Sequence, residues 1–271
     1  MIRDVTFGQY IDRRSLAHQL DARTKLLLVI LYIVMLFASK TAAGLAVSML
    51  LVPLCYAVSR IPFRMALRSI KPIVPLLLFT SVLNVLFTAG ETVLVQFWRI
   101  TITREGLVFA LLISLRILCL LAGTSLLTYT TSPIELTDGI ERAAKPLQRI
   151  GFPAHELAMM MTIALRFIPT LIDETDKIMS AQKARGAAFD TGNLVQRIRA
   201  MVPILVPLFV SSFRRADELA VAMECRCYHG GEGRTRMKTT RMGGRDLAAL
   251  LLAALLLAAV LVTNHYLPAV T

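Results

Sequence analysis

Two arginines stand out because of what flanks them. Arg185 lies between Ala184 and Gly186, and Arg226 lies between Cys225 and Cys227. In both places a guanidinium sits between two small side chains, where a long helical pattern turns polar and ends. Small flanks let another backbone approach closely. The guanidinium is planar, always charged and able to fork onto two acceptors, so on a carboxylate it fixes orientation as well as position. The chemistry is that of docking. A single arginine at a helix end is ordinarily a solvated cation favoured by the helix dipole. Two matched copies on two long helices carry more weight.

Other groupings are weaker. Cys225-Arg226-Cys227-Tyr228-His229 offers three nearby metal ligands. Cysteines at i and i+2 point apart on a helix, so no metal is expected. Asp173-Glu174-Thr175-Asp176 resembles one acidic cluster of a Mg2+-dependent membrane diphosphate enzyme. The second cluster such an enzyme needs is missing, and these charges read as a helix surface. No G-x-x-x-x-G-K-[ST] loop occurs, so this chain is not expected to hydrolyse ATP itself. No Ser–His–Asp or paired-glutamate constellation rises above chance. The chain is expected to be non-catalytic and to carry no cofactor. His18 and His155 read as structural. Arg116, inside an apolar run, is a functional hypothesis by default, with backbone, carboxylate and interface all open as partners.

Three helices are expected across residues 129–246, and the last two carry the arginines. Ser132-Pro133 with Glu135 reads as a helix start, running to about Ile150 and stopped by Gly151. The next spans about Ala154–Ala188. Its apolar residues Leu157, Met161, Leu165, Ile168 and Ile172 repeat at helical spacing. It would extend about 50 Å, with a bend at Pro169. The third spans about Asn193–Tyr228. Pro203 and Pro207 predict a kink. Its apolar block Met201–Phe213 is too short for a comfortable membrane span, and suits an interface or a protein-lined site. Gly230-Gly231-Glu232-Gly233 ends it.

The chain as a whole is apolar. Of 271 residues, 56% are hydrophobic and 18% charged, and the mean hydropathy is +0.64. Soluble domains carry roughly 45–50% apolar and about 25% charged residues. A disordered chain, a disulfide scaffold and a plain soluble enzyme are excluded. Candidate spans are Leu26–Ala38, Ala42–Val58, Ile73–Ala89, Gly106–Thr128 and Leu247–Val262, against about 20 residues for a full crossing. The first is short. It is expected to begin near Thr24, with Lys25 and Lys40 snorkelling to water.

Charge orients the spans. The net charge is +12. With the N-terminus inside, almost every cation falls in residues 1–25, 59–72 and 129–246, as insertion requires. Fusing the first two stretches would place basic segments on opposite faces. The external side keeps Lys40, Arg99, Arg104 and the interfacial Trp98, and the tail Asn264–Thr271 has no charged side chain. The expected fold is therefore all-α: a polytopic membrane protein with about five transmembrane helices and long cytoplasmic helices. Residues 1–128 form a membrane domain of about four spans, 129–246 a cytoplasmic domain, and 247–271 the last span and external tail. Four scattered cysteines suit a reducing cytosol, and no cleavable signal peptide is visible. The segment Arg234–Arg241 suits anionic lipid or a solvated linker equally. Nucleic acid is not expected, because no aromatic platform accompanies the cations.

Three segments together carry a resemblance. They are Ser15-Leu-Ala-His-Gln-Leu-Asp-Ala-Arg-Thr-Lys25, the long run Met161–Ala187 containing Ala184-Arg185-Gly186, and Ala222–Lys238 containing Cys225-Arg226-Cys227. In this order, over nearly the whole chain, they resemble the transmembrane component of energy-coupling factor transporters. The resemblance implies an importer of vitamins or transition-metal ions, in the cell membrane. A separate S component would bind the substrate and two ABC-type ATPases would supply energy. Two crossing cytoplasmic coupling helices, in a coupling domain over 129–246, would each dock an Ala-Arg-Gly motif in an ATPase groove. Carried over, these motifs are Ala184, Arg185 and Gly186, then Cys225, Arg226 and Cys227. Cysteine departs from the pattern at 225 and 227 but is still small. The asymmetry suits two non-identical ATPases. The alternatives are the permease of a conventional ABC importer, which docks through one cytoplasmic loop, and a membrane-embedded transferase. The sequence does not name the substrate.

Overall fold

The computed structural model describes residues 10–11, 13, 15–88, 92–97, 100–187, 189, 193–230 and 242–266. Over these residues the protein is an all-α membrane fold with one small hairpin. The helices are α1 (Ala22–Ala38), α2 (Ala42–Ser59), α3 (Phe63–Ile70), α4 (Val74–Phe87), α5 (Arg104–Thr130), α6 (Pro133–Ala144), α7 (Ala154–Ala184), α8 (Leu194–Cys225) and α9 (Gly244–Tyr266). Between α4 and α5, β1 (Val93–Phe97) pairs antiparallel with β2 (Ile100–Thr103), Val95 opposite Ile102. The expected interfacial Trp98, the basic segment Arg234–Arg241 and the end of the external tail lie outside the described residues.

Among the described residues, α2, α5, α7 and α9 are each long and apolar enough to cross a membrane. The expected span Ile73–Ala89 is α4, 14 residues long and so short for a full crossing by itself. α3 and α4 meet at a 65° bend and together make at most one broken crossing. Pro72 and Pro75 cause the break, since each lacks the N–H that would continue the helix ladder. α1 has 17 residues, about 25 Å, short as expected.

The described parts of Phe7–Gly139 and Thr239–Thr271 form one compact unit; those of Ile140–Lys238 form another. In the first, α1 to α4 all pack on α5, and α9 packs on α1 and α2. Tyrosine hydroxyls tie this bundle. Tyr32 donates to the Cys119 carbonyl at 2.9 Å, and Tyr56 to the Ala122 carbonyl at 2.9 Å. Tyr129 reaches from α5 to Ser69 and to the Met65 carbonyl on α3. Each such bond contributes about 1 kcal/mol and fixes which turns meet. Gly123 makes the α1–α5 approach possible: a Cβ there would lie 2.3 Å from the Tyr32 ring.

One end of this bundle is sewn by polar residues. Asp21 caps α1 by accepting from the Arg23 N–H, so the helix starts at Ala22 and not near Thr24. The Asp246 carboxylate accepts from Asp21 N–H and Gly243 N–H, both at 2.8 Å, and so holds the first turns of α1 and α9 together. Lys25 does not snorkel. It is 6% exposed and donates to the Thr130 carbonyl at 2.8 Å and the His18 carbonyl at 3.3 Å. An ammonium at the last turn of α5 satisfies carbonyls that the helix itself cannot. His18 is structural as expected, with Nδ1 2.6 Å from Ser15 Oγ and Nε2 3.0 Å from the Ile11 carbonyl.

Ser132 and Glu135 cap α6 reciprocally, as their spacing predicts. In the second unit, the chain after α6 tightens into a 3-10 helix, Lys145–Ile150, and turns at Gly151 with φ 83°. His155 in the first turn of α7 donates from Nδ1 to Glu141 at 3.0 Å.

Candidate docking site at the ends of the long helix pair

α7 and α8 run antiparallel. Three cross-links fix their register. Gln182 meets Pro203, Glu174 meets Ser211 and Arg215, and Phe167 lies under Arg215. Low residues of one helix face high residues of the other. Both helices pass through their prolines unbroken, α7 through Pro169 and α8 through Pro203 and Pro207. Pro207 has no N–H for the Pro203 carbonyl. Gln182 Nε2 of α7 donates to that carbonyl at 3.4 Å instead.

The central link is ionic. Arg215 donates to Glu174 Oε2 at 2.8 Å, Ser211 donates to Oε1, and the Arg215 guanidinium lies 5.9 Å from the centre of the Phe167 ring. Glu174 and Arg215 are 23% and 32% exposed, so the pair is partly shielded from water. The sequence reading of Asp173 to Asp176 as a helix surface therefore holds for exposed Asp173 and fails for Glu174. Serine and arginine at 211 and 215, one turn apart on α8, were the available signal.

The two arginine motifs end their helices in the same way. Arg185 is the C-cap of α7; Gly186 N–H donates to the Lys183 carbonyl at 3.0 Å and Ala187 N–H to the Gln182 carbonyl at 3.0 Å. At the end of α8, Cys227 N–H donates to the Glu224 carbonyl at 2.8 Å and Tyr228 N–H to the Met223 carbonyl at 3.1 Å. This is a Schellman cap in both places, and it needs a left-handed residue after the cap. Gly186 supplies it with φ 86°, Cys227 with φ 57°. The small residue that follows each arginine is thus also the one that reverses the chain. Sequence reasoning assigned it to close approach alone.

Arg185 and Arg226 are exposed, as are Ala184, Gly186, Cys225 and Cys227. The fold does not bring the two motifs together. Arg185 lies 11 residues beyond Glu174, and Arg226 lies 11 residues beyond Arg215. Because the helices are antiparallel, the tips point opposite ways from the ion pair and stand on the order of 33 Å apart. Among the described residues no group of histidine, cysteine, aspartate and glutamate could hold a metal ion. Arg116 finds a backbone partner, donating to the Ser39 carbonyl at the end of α1 at 2.7 Å.

Known proteins match this chain along most of its length. The family model described as cobalt transport protein (CbiQ) matches residues 13–237. The energy-coupling factor transporter transmembrane protein EcfT of Clostridium kluyveri is 54% identical over 252 residues, covering 93% of each chain. The protein of that name from Thermosediminibacter oceani is 52% identical over 250 residues, covering 92% of this chain and 94% of its own. That of Bacillus subtilis is 44% identical over 251 residues, covering 93% and 95%. A multi-pass helical protein with two arginine-tipped helices, matched at this level over most of its length, belongs to the family of energy-coupling factor transporter transmembrane components.

Proposed function

We propose that this subunit is a non-catalytic coupler: it carries ATP-driven motion from two ABC-type ATPases to a substrate-binding S component. The observation that carries the reading is the pair of arginine ends. Each presents an exposed guanidinium at a helix C-cap, flanked by small residues and followed by a reversed chain. A reversed chain behind the arginine keeps the next segment out of the way of a partner groove. The separation supports two docking partners, since one small groove cannot hold both tips. The differing residues, Gly186 and Cys227, support two non-identical ATPases.

Residues 129–246 act as the coupling domain and face the cytoplasm together with the N-terminus, the side on which the cations concentrate. The S component meets the apolar face of the long pair. Val206, Phe209, Val210 and Phe213 of α8 are large, apolar and 56%, 61%, 56% and 69% exposed, which favours an apolar partner. ATP binding draws the two ATPases together. Arg185 and Arg226 move with their grooves, and α7 and α8 pass the displacement to the face that holds the S component. Each state must differ in its contacts for the coupling to exist. The cargo is a vitamin or a transition-metal ion.

The test is co-purification. Arg185→Ala combined with Arg226→Ala should abolish retention of both ATPases by the tagged subunit while leaving it in the membrane fraction. Full retention by that double variant would overturn the reading.

A further inference from the structure

The first unit contains a groove of about 480 Å³ between α1, α2, α5 and α9, within the range of small-ligand sites. Its walls are almost wholly apolar. Among the described residues, the only charged side chains lining it are Lys25 and Arg245, both cations, at the end where α1 and α9 begin. Ser59 also lines it at that end of α2. It is 0% exposed, and its Oγ has no hydrogen-bond partner among the described residues. A buried hydroxyl without a partner costs roughly 1–3 kcal/mol, which a bound polar group at that place would relieve.

The groove has the length of one leaflet. Along α9 it runs from Arg245 to Leu256, about 16 Å of helix. Half the hydrocarbon thickness of a bilayer is about 15 Å. Arg245 is exposed and donates to Gln19, so its guanidinium is held at the rim and not sunk in the wall.

We propose that this groove binds one anionic phospholipid of the leaflet on the Arg245 side. An acyl chain lies along α1, α2 and α9, the phosphate meets the Arg245 fork, and the glycerol-ester region meets Ser59. A neutral apolar surface would take any lipid tail. The cationic rim selects the headgroup by charge, and a guanidinium suits phosphate in two-point geometry. Asp21 and Asp246 lie close by but do not line the groove, and both carboxylates are turned to backbone N–H groups.

The test is native mass spectrometry of the full chain in mild detergent, titrated with phosphatidylglycerol or phosphatidylcholine. The wild-type chain should keep one phosphatidylglycerol about tenfold more tightly than phosphatidylcholine, the worth of one charge-assisted contact. Arg245→Gln should erase that preference, and Ala253→Trp, which fills the groove, should abolish retention of both lipids. Equal affinity for the two lipids in the wild type, or retention unchanged by Ala253→Trp, would overturn the site. Should Ala253→Trp fail to fold, phosphatidylglycerol bearing a photoreactive acyl chain decides on the wild-type chain. Adducts on groove residues of α1, α2 or α9 support the proposal, and adducts confined to other helices overturn it. Cross-linking of a Leu252→Cys variant to another protein in membranes would overturn it as well, because the groove would then be a protein interface.

Discussion

The end of α7 and the end of α8 make the same turn with different residues. Gly186 enters the left-handed region without a side-chain penalty; Cys227 enters it with a Cβ, at a cost of roughly 1 kcal/mol. Both arginines directly follow the last helical residue, both are exposed, and both cap geometries are complete. What the two ends share is therefore backbone shape, and what differs is how firmly that shape is held. The α7 end is relaxed; the α8 end carries stored strain. Under the proposed function, the docking motif is defined by a turn as much as by its charge.

The largest effect should come from removing either guanidinium alone. Arg185→Ala or Arg226→Ala should each weaken ATPase retention about 10- to 100-fold, the range for one charged hydrogen-bonded contact. Pull-down against increasing ATPase concentration reads this. If one variant loses everything and the other nothing, the ends are not equivalent. Next comes the link between the helices. Glu174→Ala leaves Arg215 unpaired and costs roughly 1 kcal/mol after allowance for its exposure. ATP-dependent uptake into vesicles should fall more than ATPase retention does. A double-mutant cycle with Arg215→Ala should show the two changes to be non-additive.

The two smallest predictions exchange the residues that distinguish the ends. Gly186→Ala finds open space for its methyl group, yet places a Cβ at φ 86°. It should fray the last turn of α7 by about 1 kcal/mol and weaken docking a few-fold. Cys227→Gly should do the reverse, slowing amide exchange at Tyr228 by at most about fivefold. If both substitutions left exchange unchanged, the strain difference between the ends would be void.

Much of this was legible in the sequence. The long helices, the reciprocal cap of Ser132 and Glu135, and the stop at Gly151 follow from local rules, so their signals are local. The arginine motifs could be picked out by their flanks. The turn that follows each of them could not, because cysteine gives no hint of a left-handed backbone where glycine does. The break at Lys71–Ile73 was written in Pro72 and Pro75, but the helix before it, α3, was hidden because its Arg64 and Arg68 made the segment read as a basic loop. The β1–β2 hairpin was visible only as β-branched residues in a short segment between spans. The partnerships of Lys25, Glu174 and Tyr56 were invisible in principle. Each joins elements distant in sequence, and no periodicity records which turn faces which.

The Glu174–Arg215 pair sits midway between the two arginine tips, 11 residues from each. Equal arms on opposite sides of a rivet have a mechanical consequence. A displacement of either tip across its own rod turns that rod about the pair, and because the arms are equal, equal displacements turn both rods by the same angle. Under the proposed function, that angle is what the substrate-binding partner would sense.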